Sequence, residues 1–164
     1  MFKVNDYIMY GRTGVCQVTE IRNGKSMGNT GTDYYVLNPV FEKNSVIMTP
    51  VDNEKILMRE VVSKQEILSM IDLISNEDTE WIDDDKIRNE KFKSSIKAGI
   101  CEDWIRLIKT IHLQMEEKKS IGKKISQLDE GILKEVKKLL YEEFSLVLKI
   151  PTEEVENIIY KQIG

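Results

Sequence analysis

The side chains in this sequence that could carry chemistry are few. They are one histidine (His112), two cysteines (Cys16 and Cys101), three consecutive aspartates (Asp83, Asp84 and Asp85), and Trp81 just ahead of a run of cations. A single imidazole excludes a His-rich zinc site or a two-His iron site within one chain. The cysteines lie far apart and form no C-x-x-C, which excludes a thiolate zinc knuckle and a thioredoxin-type motif. Three adjacent carboxylates on a helix point in different directions and cannot converge on one ion. They suit a helix N-terminus, where the dipole favours negative charge. Gly11-Arg12-Thr13-Gly14 lacks the later Gly-Lys-Ser/Thr of a phosphate loop and reads as a turn. His112 falls on an apolar helical stripe with no nucleophile beside it, so it reads as a packed residue. No catalytic residue, metal or cofactor is expected, and an enzyme is disfavoured.

The tryptophans differ. Trp104 belongs to an apolar stripe and reads as core. Trp81 follows Asn76-Glu77-Asp78-Thr79-Glu80 and precedes the aspartates, and no stripe absorbs it. It can pack on the stems of Asp85 and Lys86 or on a neighbouring helix. Alternatively, it can serve as an exposed ring. Downstream, residues 86–97 hold Lys86, Arg88, Lys91, Lys93 and Lys97 against Glu90 alone, a local charge of +4. Lys118, Lys119, Lys123 and Lys124 form a second basic cluster. An indole beside such cations can stabilise unstacked bases while the cations hold the phosphates. The whole-chain charge of −4 hides these patches. It argues against independent tight DNA binding, and leaves room for a contact delivered by another partner.

Two kinds of element must position these residues. Up to residue 62 the apolar runs are short and rich in Val, Ile and Tyr. The strand-length runs are Tyr7–Tyr10, Val15–Ile21, Tyr34–Leu37, Val46–Met48 and Ile56–Met58, separated by Gly, Pro and Asp-Asn turns. Five short strands in this length predict a small, partly open barrel. Beyond residue 62 the period lengthens. Ser63-Lys64-Gln65-Glu66 is a capping box ahead of Ile67, Leu68, Ile71 and Ile74. A second helix is predicted over 83–98, with Ile87, Phe92 and Ile96 buried and Gly99 as its left-handed cap. A third covers 102–117 and a fourth 127–149, with Leu133, Val136, Leu140, Phe144 and Val147 aligned. A fifth opens after Pro151 and carries Val155, Ile158 and Ile159. The fold class is therefore α+β: a β-barrel domain over 1–62, then an all-α domain of about five helices over 63–164.

With 164 residues and 41% hydrophobic content, the chain has material for packed cores. No stretch approaches the ~18 apolar residues of a membrane span. Met1-Phe2-Lys3-Val4-Asn5-Asp6 lacks a signal-peptide pattern, and the unpaired cysteines suit a reducing cytosol. A cytoplasmic monomer without membrane contact is expected.

In order and spacing, several segments resemble the CarD/CdnL family of bacterial transcription regulators. Phe2-Lys3-Val4-Asn5-Asp6-Tyr7-Ile8-Met9-Tyr10 followed by Gly14-Val15 is similar to the family's opening, F-x-V-G-D-x-V-V-Y-P-x-H-G-V. Asp33–Leu37 resembles its Y-Y-x-L strand, and Met48–Asn53 with Leu57–Ser63 its P-V-x-N…R-x-V segment. Trp81, Arg88 and Lys97-Ala98-Gly99 resemble its C-terminal domain. The resemblance implies a Tudor-like, SH3-like N-terminal domain whose exposed strand edge docks on the RNA polymerase β subunit by strand addition. It implies a helical domain that touches promoter DNA at the upstream edge of the bubble, with Trp81 as the wedge. Lys86, Arg88, Lys91, Lys93, Lys97, Lys123 and Lys124 are the candidate DNA cations. Val46, Ile47, Met48 and Thr49, with Arg22 and Lys25 as charged neighbours, are the candidate polymerase contacts. No helicase motif follows, as in the family's stand-alone form. Three departures stand out. Asn5 replaces a glycine, Gly11-Arg12-Thr13 replaces Pro-x-His, and Asp83 and Asp84 fall where some members carry arginines.

Two other readings compete. A Tudor-like barrel can read a peptide or a modified residue through an aromatic cage, for which Tyr7, Tyr10, Tyr34 and Tyr35 are the available rings. A small hydrolase would need two facing carboxylates, and no spacing here demands such a pair.

Overall fold

A computed structural model describes residues 1–28 and 31–164. The chain divides into two compact units, Met1–Val61 and Val62–Gly164.

The first unit is a five-stranded antiparallel sheet of β1 (Tyr7–Tyr10), β2 (Gly14–Arg22), β3 (Tyr34–Pro39), β4 (Ile47–Pro50) and β5 (Met58–Glu60), in the spatial order β4-β3-β2-β1-β5. The fifth strand begins at Met58 rather than Ile56. Ile56 and Leu57 belong to the approach, where the Leu57 carbonyl accepts the Gly11 N–H. One face buries Ile8, Tyr10, Cys16, Val18, Tyr35 and Leu37, with Phe2, Ile21, Ile47, Val51 and Met58 packed around them. The alternation along β1 and β3 places these residues together, since successive side chains in a strand face opposite ways. A bulge between Val18 and Glu20 shifts the β2–β3 register. Such a bulge bends the strand and increases its twist. Asn5 has φ 77°, the left-handed geometry that Asn tolerates and that a glycine would also supply.

The second unit comprises α1 (Lys64–Ile74), α2 (Asp85–Ala98), α3 (Cys101–Ser120), α4 (Gln127–Leu148) and α5 (Thr152–Ile163). The Ser63–Glu66 capping box is formed in both directions, and Gly99 closes α2 with φ 71°. The core collects Ile67, Ile71, Trp104, Ile105, Ile108, Ile111, Val136, Leu140, Phe144, Val155 and Ile159. Leu68 and Ile158, expected on buried stripes, are exposed. The buried face of α2 also differs from expectation. Ile87 is 57% exposed, and the buried residues are Arg88, Phe92 and Ile96. Positions 88, 92 and 96 repeat every four residues and form one continuous stripe, whereas 87 lies off it. A charged residue holds the core position, and an apolar one points to solvent.

Candidate functional site

The sheet unit offers an edge. β4 pairs with β3 along one side, in the register Tyr35↔Thr49, Val36↔Met48 and Leu37↔Ile47. It ends the strand order, so among the described residues no strand pairs with its outer side. In an antiparallel ladder, alternate residues direct N–H and C=O outward, and on an edge strand these groups are free to take another strand. The pleat sorts the side chains. Val46 is 64% and Met48 39% exposed. Ile47 packs against the sheet core, and Thr49 is buried with its hydroxyl accepting from Asn53 Nδ2 at 2.9 Å. Thr49 as a side-chain contact is thus corrected: two residues on from Ile47, it shares that residue's inward face of the pleat. Arg22 is exposed, with Nη1 3.8 Å from Met48 Sδ and Nε donating to Glu20 Oε1 at 2.9 Å. Its hydrogen bond to Glu20 raises the Arg22 pKa. Lys25 is exposed on a short 3-10 turn, Gly24–Met27, capped by the Asn23 side chain.

The helical unit offers an aromatic ring among charges. Trp81 is half-buried. Its ring meets the Phe92 ring edge-on, with centroids 6.1 Å apart, and the Arg88 guanidinium carbon lies 4.5 Å from its centroid. Trp104 is fully buried, its indole N–H donating to the Ser95 carbonyl. The aspartate run divides its labour along one turn. Asp84 caps α2 by accepting the Ile87 N–H, and Asp85 pairs with Arg88 at 2.7 Å. Arg88 also forms a two-pronged pair with Asp129, Nε to Oδ1 at 3.1 Å and Nη2 to Oδ2 at 2.9 Å. Asp129 is 1% and Arg88 4% exposed. The Asp129 hydrogen bond is the main reason the Arg88 pKa is raised, against the lowering effect of burial. Arg88 as a DNA cation is therefore corrected: it is an internal ion, not a surface charge.

The segment that carries Trp81 is pinned at its start as well. Arg106 grips Glu77 with Nε to Oε2 at 2.7 Å and Nη2 to Oε1 at 3.1 Å, and it reaches Asp103 at 2.8 Å. That hydrogen bond lowers the Glu77 pKa. Buried Lys109 donates to the carbonyls of Ile74 and Glu77, which caps the end of α1. Lys109 and Arg106 carried no signal in the hydrophobic pattern beyond their place on α3.

The remaining cations, Lys86, Lys91, Lys93, Lys97, Lys123 and Lys124, are all exposed. At 100° per residue, Lys86, Lys93 and Lys97 share one stripe of α2, and Lys91 lies ~140° away on another face. Lys91 lines a groove of about 310 Å³ between residues 78–82, α2 and α3. Lys123 and Lys124 sit just ahead of the Ser126 cap of α4, where Ser126 and Asp129 bond each other reciprocally. The Arg88–Asp129 pair joins the first turn of α2 to the first turn of α4.

The tyrosines do not make a cage. Tyr10 and Tyr35 are core residues, and the Tyr35 hydroxyl accepts the Phe2 N–H. Tyr7 and Tyr34 stand on different strands, β1 and β3. Among the described residues, no group of three His, Cys, Asp or Glu side chains could hold a metal, and no helix is long and apolar enough to cross a membrane.

Residues 2–62 match the family model described as the CarD-like/TRCF RID domain. The matched segment is the sheet unit with its free β4 edge. No curated protein matches the chain.

Proposed function

With residues 2–62 a CarD-like/TRCF RID domain, we propose that this chain is a non-enzymatic transcription regulator. It binds the β subunit of RNA polymerase through the outer edge of β4 and stabilises the promoter open complex through its helical unit. The observation that carries the reading is that match, laid over a sheet whose last strand has an unpaired side. Strand addition takes its affinity from main-chain hydrogen bonds and its selectivity from flanking side chains. Met48, Val46 and Arg22 are the exposed flanks here. Docking then holds the helical unit close to the DNA. Contacts too weak to bind DNA alone become effectively intramolecular. Trp81 supplies an aromatic face for an unstacked base at the bubble edge, and Lys86, Lys93, Lys97, Lys123 and Lys124 supply charge for the backbone. An added stabilisation of ~1.4 kcal/mol changes open-complex occupancy about tenfold.

The test pairs a pull-down on the purified polymerase β lobe with measurement of open-complex lifetime at a promoter. The wild-type chain is expected to bind the lobe and to lengthen the lifetime. Trp81→Ala is expected to keep lobe binding and lose most of the lengthening. A wild-type chain that does neither refutes the reading. A Trp81→Ala variant with unchanged lifetime removes the ring from it.

A further inference from the structure

We infer that Arg88 is a positioning residue for Trp81: its guanidinium, fixed by Asp129, sets the angle of the indole and has no donor left for a phosphate. The inference deepens the promoter reading and rests on it for the consequence in transcription. A guanidinium has five N–H donors. Here Nε serves Asp129 Oδ1. Nη1 serves the carbonyls of Ile82 at 2.8 Å and Asp83 at 3.4 Å. Nη2 serves Asp129 Oδ2 and Asp85 Oδ1 at 2.7 Å. Five donors meet five acceptors, and the side chain is 4% exposed.

The same group touches Trp81 twice over. It holds the two carbonyls that directly follow the tryptophan, which fixes the backbone leaving it. It also stacks 4.5 Å from the ring centroid, which fixes the face of the indole. Phe92 blocks rotation on another side with an edge contact at 61°. Trp81 is half-buried, and its exposed part is what remains to meet a base. A half-buried ring held this way gives up little side-chain freedom on binding, which is the advantage of preorganisation. Asp129 anchors the arrangement from α4. It is itself fixed, its N–H donating to Ser126 Oγ and its carboxylate accepting from the same hydroxyl. A lysine at 88 would keep the charge but lose the planar fork and the stack.

Nuclear magnetic resonance of the full chain tests this directly, because its two indole N–H signals belong to Trp81 and Trp104. In the wild type, the Arg88 Nε–H is expected to exchange slowly with solvent. A rapidly exchanging Arg88 Nε–H overturns the inference whatever the variants do. In Arg88→Lys, the Trp81 signal is expected to shift and its side chain to gain mobility, while the Trp104 signal stays in place. Should that variant fail to fold, the apolar pair Arg88→Met with Asp129→Leu keeps the volume without the charges. It should show the same selective change at Trp81. At a promoter, either folded variant is expected to bind the β lobe normally and shorten the open-complex lifetime at least about threefold, with the salt dependence of that lifetime unchanged. An unmoved Trp81 signal, or a salt slope reduced by about one unit as for a lost phosphate contact, overturns the positioning role. If the wild-type chain has no effect on lifetime, the promoter reading fails, and the two signals in the free protein still decide whether Arg88 orients the ring.

Discussion

The outer edge of β4 and the start of α2 are both surfaces for a partner, and they are built by opposite means. At the edge, the groups on offer are backbone N–H and C=O. They are displayed by the pleat and flanked by side chains that owe little to one another. The ion pair between Arg22 and Glu20 is exposed on both sides, at 44% and 52%. At α2 the offered group is a side chain, and a buried ionic network holds it. Arg88, itself fixed by Asp129 and Asp85, stacks on the ring, and Phe92 meets it edge-on. An edge of this kind tolerates most substitutions that leave the pleat intact. The α2 surface should fail through residues that never touch the partner.

The largest expected effect breaks that contrast at its centre. Asp129→Ala leaves Arg88 buried with Asp85 as its only carboxylate. Stranding a buried charge costs about 3–5 kcal/mol, and the lower end applies because the Asp85 pair survives. Both tryptophans belong to the helical unit, so urea unfolding followed by tryptophan fluorescence reads that unit alone. Glu20→Ala, the matching cut at the exposed pair, should leave the sheet unit's protection against hydrogen exchange at β2 and β3 nearly unchanged. Equal costs for the two cuts would erase the distinction between a surface pair and a structural one.

These two regions were not equally legible. The strands could be placed from Val, Ile and Tyr runs bounded by Gly and Pro, because a pleated sheet with one buried face writes its period into the sequence. β1 falls on Tyr7–Tyr10 as read, and only β5 begins two residues later than expected. The free edge could also be named, though not that Thr49 turns inward. The first two helices followed from caps, with Ser63 starting one and Gly99 ending the other as their chemistry suggests. The interior of α2 was misread because an apolar pattern sees only apolar residues. By that pattern Ile87 reads as core and Arg88 as surface, whereas 88, 92 and 96 form the buried stripe. Its partner, Asp129, is forty-one positions away. Nothing local to either residue announces a pair that only the tertiary fold creates.

A smaller effect sharpens the contrast at the sheet. Met48→Asp places a charge on the exposed face of the edge strand, a device that discourages strand pairing. Its affinity for the polymerase β lobe, read by titration calorimetry, should fall about tenfold, or ~1.4 kcal/mol. Unfolding of the helical unit should not change. Thr49→Val alters the inward face and should leave lobe affinity within about twofold, since main-chain bonds carry strand addition. A loss at Thr49→Val as large as at Met48→Asp would mean that the partner reads more than the edge.

The smallest effect concerns pH, and it too separates the units, because the only histidine, His112, lies in the helical one. Its ring stacks on Tyr160 at 4.5 Å, and its Nδ1 is buried without a hydrogen-bond partner. Burial lowers its pKa from the ordinary 6.5, and Lys137 lowers it further. Glu116 and Glu156 oppose that shift. In this window the unfolded chain binds a proton that the folded one resists, so the unfolded state gains protons first as pH falls. Stability of the helical unit should therefore drop as pH is lowered from ~7.5 through the ordinary histidine pKa, and level off once the folded ring also protonates. Urea midpoints by tryptophan fluorescence between pH ~5 and ~7.5 would show the slope, and His112→Phe should flatten it. The sheet unit holds no histidine, so hydrogen exchange at β2 and β3 should show no matching loss of protection. A slope that survives His112→Phe would show that His112 is not its source.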